Sequence, residues 1–192
     1  MVMIDLGPAA SRMATLLASV DDEQLGAPTP CPDSTLGALI DHVGTFAKAF
    51  VAVAGKDIAA TGAPPPPDGA NLEEGWRARI AGDLETLTAA WRDQAAWEGM
   101  TAAGGIDLPG EIAGLVALDE LVVHGWDVAV ASGQPYDPPV EEIEGASSFV
   151  TSFDPPRDGR LFGPVVPVPG DASPLHQLLG LTGRDPRWTP PT

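Results

Sequence analysis

The stretch Ala117-Leu-Asp-Glu-Leu-Val-Val-His-Gly-Trp-Asp127 decides how this chain is read. Glu120 and His124 are four apart and Asp127 follows three later, so an α-helix lines all three along one face. Around that polar line, the run from Ile112 to Ala131 is almost wholly apolar or small. A helix apolar on most sides belongs inside a bundle, where an ionisable pair must be hydrogen-bonded, charge-paired or bound to metal. The expected fold class is therefore all-α, with a polar site on a buried helix.

Working outward, this helix runs from about Gly110 to Ser132 and stops at Gly133, with Pro135 as a second stop signal. Upstream, the Gly-rich stretch from Thr101 to Leu108 reads as a loop at a pocket rim. A third helix, from about Leu72 to Gly99, carries Trp76, Ile80, Leu84, Leu87, Trp91 and Ala95 at helical spacing, an aromatic stripe that reads as packing. The four prolines Pro64 to Pro67 favour an extended connection, so residues 55–69 read as a long crossover along the outside of the bundle. A second helix spans about Thr35 to Ala54, with Asp33, Ser34 or Thr35 as its cap, and His42 lies within or beside its apolar stripe. The first runs from about Leu6 to Leu25, ended by the prolines of residues 26–32.

Downstream, Pro139 opens a shorter fifth helix through Phe149, residues 160–168 read as extended chain or short edge strands, and Pro174 to Gly183 is a final short helix. Together these make one unit, 1–192: a four-helix bundle core of about 5–132 and a C-terminal extension of about 133–192.

Composition narrows the function. The chain carries 27 acidic against 10 basic residues, a formal charge of −17. That balance repels phosphate backbones and anionic lipid surfaces, so neither nucleic acid nor membrane is an expected partner. The single cysteine, Cys31, permits no internal disulfide, and neither a signal-type segment nor 18 consecutive apolar residues occur, which makes the cytoplasm the default compartment. Phosphate-binding loops and serine elbows are absent too.

Glu120 and His124 supply an oxygen and a nitrogen to one ion, and a third donor must come from another helix. Of the other two histidines, His42 lies mid-helix and His176 in the proline-rich tail, so the simplest ligand set is His42, Glu120 and His124. Two imidazoles and one carboxylate leave a position open for water or substrate. The donor types suit zinc first, and also nickel or iron. Asp127 reads as a fourth ligand or as an acceptor for an imidazole N–H. Cys31 reads as a small buried hydrophobe; as a nucleophile it would need a base, and only Asp33 is near in sequence.

Three motifs carry a family resemblance: Thr29-Pro-Cys-Pro-Asp33 leading to Leu39-Ile-Asp-His-Val43, the segment Asp119 to Ala129, and Leu178-Leu-Gly-Leu-Thr-Gly-Arg-Asp-Pro186. In them the chain resembles the DinB/YfiT-like superfamily, and more narrowly the actinobacterial metal-binding branch related to the N-terminal domain of mycothiol-dependent maleylpyruvate isomerase. The resemblance implies a four-helix bundle with a long crossover and a divalent metal held by His42, Glu120 and His124. Ser34 departs from the pattern, standing where the family commonly has tryptophan. Enzymes of this kind are isomerases or transferases in which the metal activates a low-molecular-weight thiol, so mycothiol or a similar thiol and a small electrophile are the implied partners of a monomer or homodimer. Two alternatives stand beside this: metal-assisted hydrolysis with Asp127 or Asp41 as base, and a non-catalytic binding module with a structural metal.

Overall fold

The structure, a computed structural model, describes residues 3–32, 34–57, 65–152, 157 and 161–191. Seven α-helices occur among them: α1 (Gly7–Ala18), α2 (Leu36–Ala54), α3 (Trp76–Trp91), α4 (Gln94–Trp97), α5 (Gly110–Ser132), α6 (Val140–Thr151) and α7 (Pro174–Leu181), with one hairpin of β1 (Met100–Ala103) and β2 (Ile106–Pro109).

Four long helices form the bundle. α1 packs on α3 and α5, and α2 packs on the same two, so the helices close a ring in which α2 and α5 share a seam. The sense of α3 follows from its contacts with α2. Gly44 lies against Ile80, Lys48 pairs with Asp83 at 3.6 Å, and Trp91 donates its indole N–H to the Phe50 carbonyl. Residue numbers rise together on both helices, so α2 and α3 are parallel, and the chain between them must return the full length of the bundle.

That return explains the long crossover expected from the prolines, of which Pro65 to Pro67 are described and Pro64 lies outside the described residues. Its end is pinned beside the start of α2, where buried Asp41 accepts from the Asp68 amide at 3.0 Å and from Asn71 Nδ2 at 2.9 Å.

The local chemistry of α2 and α5 fits their lengths. Thr35 caps α2, its hydroxyl accepting from the Ala38 amide. Asp33, the other acidic cap candidate, lies outside the described residues. By length and hydropathy α2 could cross a membrane, yet it is a core helix of this bundle. α5 ends on Gly133 at φ 74°, with the Gln134 amide returning to the Ala129 carbonyl, a glycine stop of the expected kind.

Several expected boundaries are corrected. The first helix stops at Ala18, and Asp22–Gln24 form a separate turn of 3-10 helix closed by reciprocal bonds between Asp21 and Gln24. The third begins four residues later than expected, because a separate turn of 3-10 helix occupies 69–71 and Gly75, at φ 79°, stands as the cap before Trp76. It ends at Trp91, after which Asp93 caps the short α4. The Trp stripe is packing: Trp91 and Trp97 meet edge to face at 5.2 Å. Residues 101–108 are no loop. They form most of an antiparallel hairpin around Gly104 and Gly105, whose positive φ values of 58° and 80° suit the tight turn that right-twisted strands favour.

The C-terminal extension packs on the bundle through α6, which lies against α5 and α7. Arg12 reaches from α1 to Glu142 at 2.7 Å, so the acid at the start of α6 also anchors it. Described residues 161–168 are irregular extended chain, with the Val166 amide bonded to the Gly180 carbonyl at 2.9 Å.

Candidate metal centre

His42 points from α2 across the seam to α5. Its Nε2 stands 3.0 Å from Glu120 Oε2, and His124 Nε2 stands 3.2 Å from that same oxygen. The imidazole rings meet edge to face with centroids 4.9 Å apart. Within this group, one donor atom from each residue lies within 4.8 Å of the other two. Ligands bound tetrahedrally at about 2.0–2.1 Å lie about 3.3 Å from each other, so the 3.0 and 3.2 Å separations from Glu120 Oε2 fit a small divalent ion.

Asp127 does not join the three donors. Its carboxylate is fully buried and accepts from His124 Nδ1 at 2.9 Å, which leaves Nε2 directed at Glu120. Its other partner is Arg184, whose Nη2 donates to Oδ2 at 3.0 Å. Of the two roles the sequence leaves open for Asp127, the geometry selects the acceptor that orients an imidazole.

The electrostatics follow from burial and pairing. Burial would raise Asp127, but Arg184 and His124 outweigh it and hold the carboxyl below its ordinary value. Burial would likewise raise Glu120, but hydrogen bonds from His124 and His42 carry it well below the usual range. Burial alone would lower His124; bonds to Asp127 and Glu120 reverse the sign and push it up to about 10 without a metal. Asp119 is the contrary case. Burial and the neighbouring Glu120 charge raise it to about 8, and its Oδ1 has no hydrogen-bond partner among the described residues.

Other sequence candidates fall elsewhere. His176 is exposed at the first turn of α7, outside the cluster. Cys31 is a half-buried thiol in a loop tied by the Thr29 hydroxyl, also outside it. Asp41 serves the crossover. Arg184 is the residue that spacing did not reveal; the available signal was a buried acid, Asp127, in a chain with only 10 basic residues to neutralise it.

Residues 6–129 match the family model of the mycothiol maleylpyruvate isomerase N-terminal domain. The chain belongs to this family. Two uncharacterized proteins of Mycobacterium tuberculosis, from two strains, are each 33% identical to it over 188 residues, covering 93% of this chain and 95% of theirs. Among solved structures, the crystal structure of the mycothiol-dependent maleylpyruvate isomerase superposes with a TM-score of 0.59 at 19% identity. That superposition covers 76% of this chain and 66% of that enzyme, just under two thirds of its length, and a histidine-to-alanine mutant of the enzyme matches equally. At such identity the likeness establishes a common fold. This maleylpyruvate isomerase-like domain thus carries the four-helix architecture, and Arg184 lies beyond its matched segment.

Proposed function

We propose that this chain binds a divalent metal through His42, Glu120 and His124 and works as an isomerase or transferase using a low-molecular-weight thiol of the mycothiol class. The observation that supports it is the convergence of two imidazole nitrogens and one carboxylate oxygen within 4.8 Å at the α2–α5 seam. Zinc is the expected ion, with nickel or iron as the other choices for these donors. When bound, such an ion lowers the pKa of a coordinated thiol and stabilises its thiolate for attack on an electrophile.

The chain's own residues prepare that chemistry. Asp127 orients His124 and leaves its Nε2 toward the centre. Side-chain exposures of 33% for His42, 21% for Glu120 and 13% for His124 make His42, on α2, the most open of the three. Residues 1–192 act in this proposal as one working unit in the cytoplasm, with a thiol and a small electrophile as partners. Metal-assisted hydrolysis has less support, since its two candidate bases are engaged, Asp127 by His124 and Arg184, Asp41 by the crossover.

Elemental analysis of untagged protein tests the metal, beside His42→Ala and His124→Ala. About one ion per chain in the parent and a loss in both variants is expected. Well below one ion in the parent, with no tight uptake of added zinc or nickel, would refute the reading. Titration of the loaded protein with a small thiol then tests the second half: a thiol that perturbs a cobalt-substituted spectrum supports it, and an indifferent spectrum leaves a structural metal as the better account.

A further inference from the structure

We propose that Arg184 is a positioning residue of the metal centre. Acting through Asp127, it fixes the ring of His124, so the C-terminal extension, outside the family-matched segment, sets metal affinity. The inference rests on the proposed metal reading.

The Asp127 side chain has no exposed surface, so its carboxylate cannot be held by solvent. The plane it adopts is set by two partners, His124 Nδ1 at 2.9 Å and the Arg184 guanidinium, with Nη2 at 3.0 Å from Oδ2 and Nε at 3.5 Å from Oδ1. A planar guanidinium facing both oxygens restrains rotation of a carboxylate in a way that a single-point contact does not.

Arg184 is itself held. Its Nη1 donates to the Thr182 carbonyl at 2.9 Å, its amide bonds the Leu179 carbonyl at 2.8 Å, and the chain arrives through Gly183 at φ 88°. The guanidinium is therefore fixed to the C-terminal end of α7. Along this line α7 positions Arg184, Arg184 orients the Asp127 carboxylate, and that carboxylate sets the rotation of the His124 ring about its Cβ–Cγ bond. The same rotation keeps His124 Nε2 3.2 Å from Glu120 Oε2.

The test compares zinc affinity, measured by chelator competition, and the visible spectrum of cobalt-substituted protein for the parent, Arg184→Met and Arg184→Lys. Arg157→Met is the control, because Arg157 clips the same extension by donating to the Leu181 carbonyl and no contact joins it to Asp127 among the described residues. Arg184→Met is expected to lose about 10–100-fold in zinc affinity with an altered cobalt spectrum, and Arg184→Lys to recover part of it. The control loses stability and keeps both readouts. Unchanged affinity and spectrum in folded Arg184→Met overturn the proposal. Should that variant not fold, Arg184→Lys decides, and an affinity equal to the parent's overturns it.

If the parent binds no metal, the metal reading fails separately. The positioning role is then read from the imidazole nitrogen shifts of His124 in Arg184→Lys: a change supports it and identity with the parent ends it.

Discussion

Asp127 and Asp119 lie eight residues apart on one helix, both buried, and their environments push them in opposite directions. Asp127 faces two cations and stays ionised, whereas Asp119 keeps an oxygen without a partner and titrates high, to about 8. In metal-free protein these opposed shifts limit stability at both ends of the pH range. His124, raised to about 10, adds stability that is fully present below its unfolded value of about 6.5 and fades as pH rises through 10. Lowered Glu120 and Asp127 add stability present above about pH 4.5 and lost on acidification. Urea midpoints of chelated protein should therefore fall on both sides of neutrality.

Asp119, being raised, takes stability away as pH climbs from about 4 toward 8. Asp119→Asn should accordingly stabilise chelated protein by about 1–3 kcal/mol at pH 8 and not at pH 4, as read by urea denaturation. On the proposed metal reading, zinc must also displace the His124 proton. Calorimetry in buffers of different ionisation enthalpy should show about one proton released per ion at pH 7, with affinity rising as pH rises. Of this site, the grouping of His42, Glu120 and His124 was legible because helical spacing aligns Glu120 with His124 and few other histidines exist. The Arg184 contact was not, since no local period connects residues 57 apart.

Among the elements, α5 shows where pattern reading succeeds. Its apolar run, its polar line and Gly133 fixed both identity and end, while its two internal glycines serve packing. A Cβ on Gly114 would enter the Trp97 ring, and one on Gly125 would meet the Tyr136 hydroxyl at 2.6 Å. Gly114→Ala should cost about 1–3 kcal/mol by overpacking, checked by chemical denaturation, with far-ultraviolet circular dichroism unchanged. The hairpin escaped notice because its strands are four residues each and the first is mostly small side chains, though the Gly104-Gly105 pair was the available turn signal. The third helix was drawn too long for a similar reason: apolar spacing continues past Trp91, but Asp93 restarts the chain as a cap.

For the molecule as a whole, a charge of −17 acts against compactness at low ionic strength. Raising sodium chloride from about 20 to about 500 mM should raise the melting temperature of chelated protein, because screening shortens the reach of that repulsion. A fall would mean that its ion pairs outweigh the net repulsion. The bundle itself was readable from four apolar periods and a proline-rich crossover. Its parallel α2–α3 pair was not, because periodicity carries no information on direction; that came from Gly44 on Ile80, Lys48 on Asp83 and Phe50 on Trp91.

The position of Arg184, 57 residues after Asp127, also orders events during synthesis. At about 5–20 residues per second, a ribosome that has just made Asp127 needs about 3–11 s more to make Arg184. His42, Glu120 and His124 are all synthesised before that interval opens, so a growing chain has these three side chains before it has the cation that pairs with Asp127. On the proposed metal reading, an ion captured in that interval would be held more loosely than one bound after Arg184 has joined Asp127.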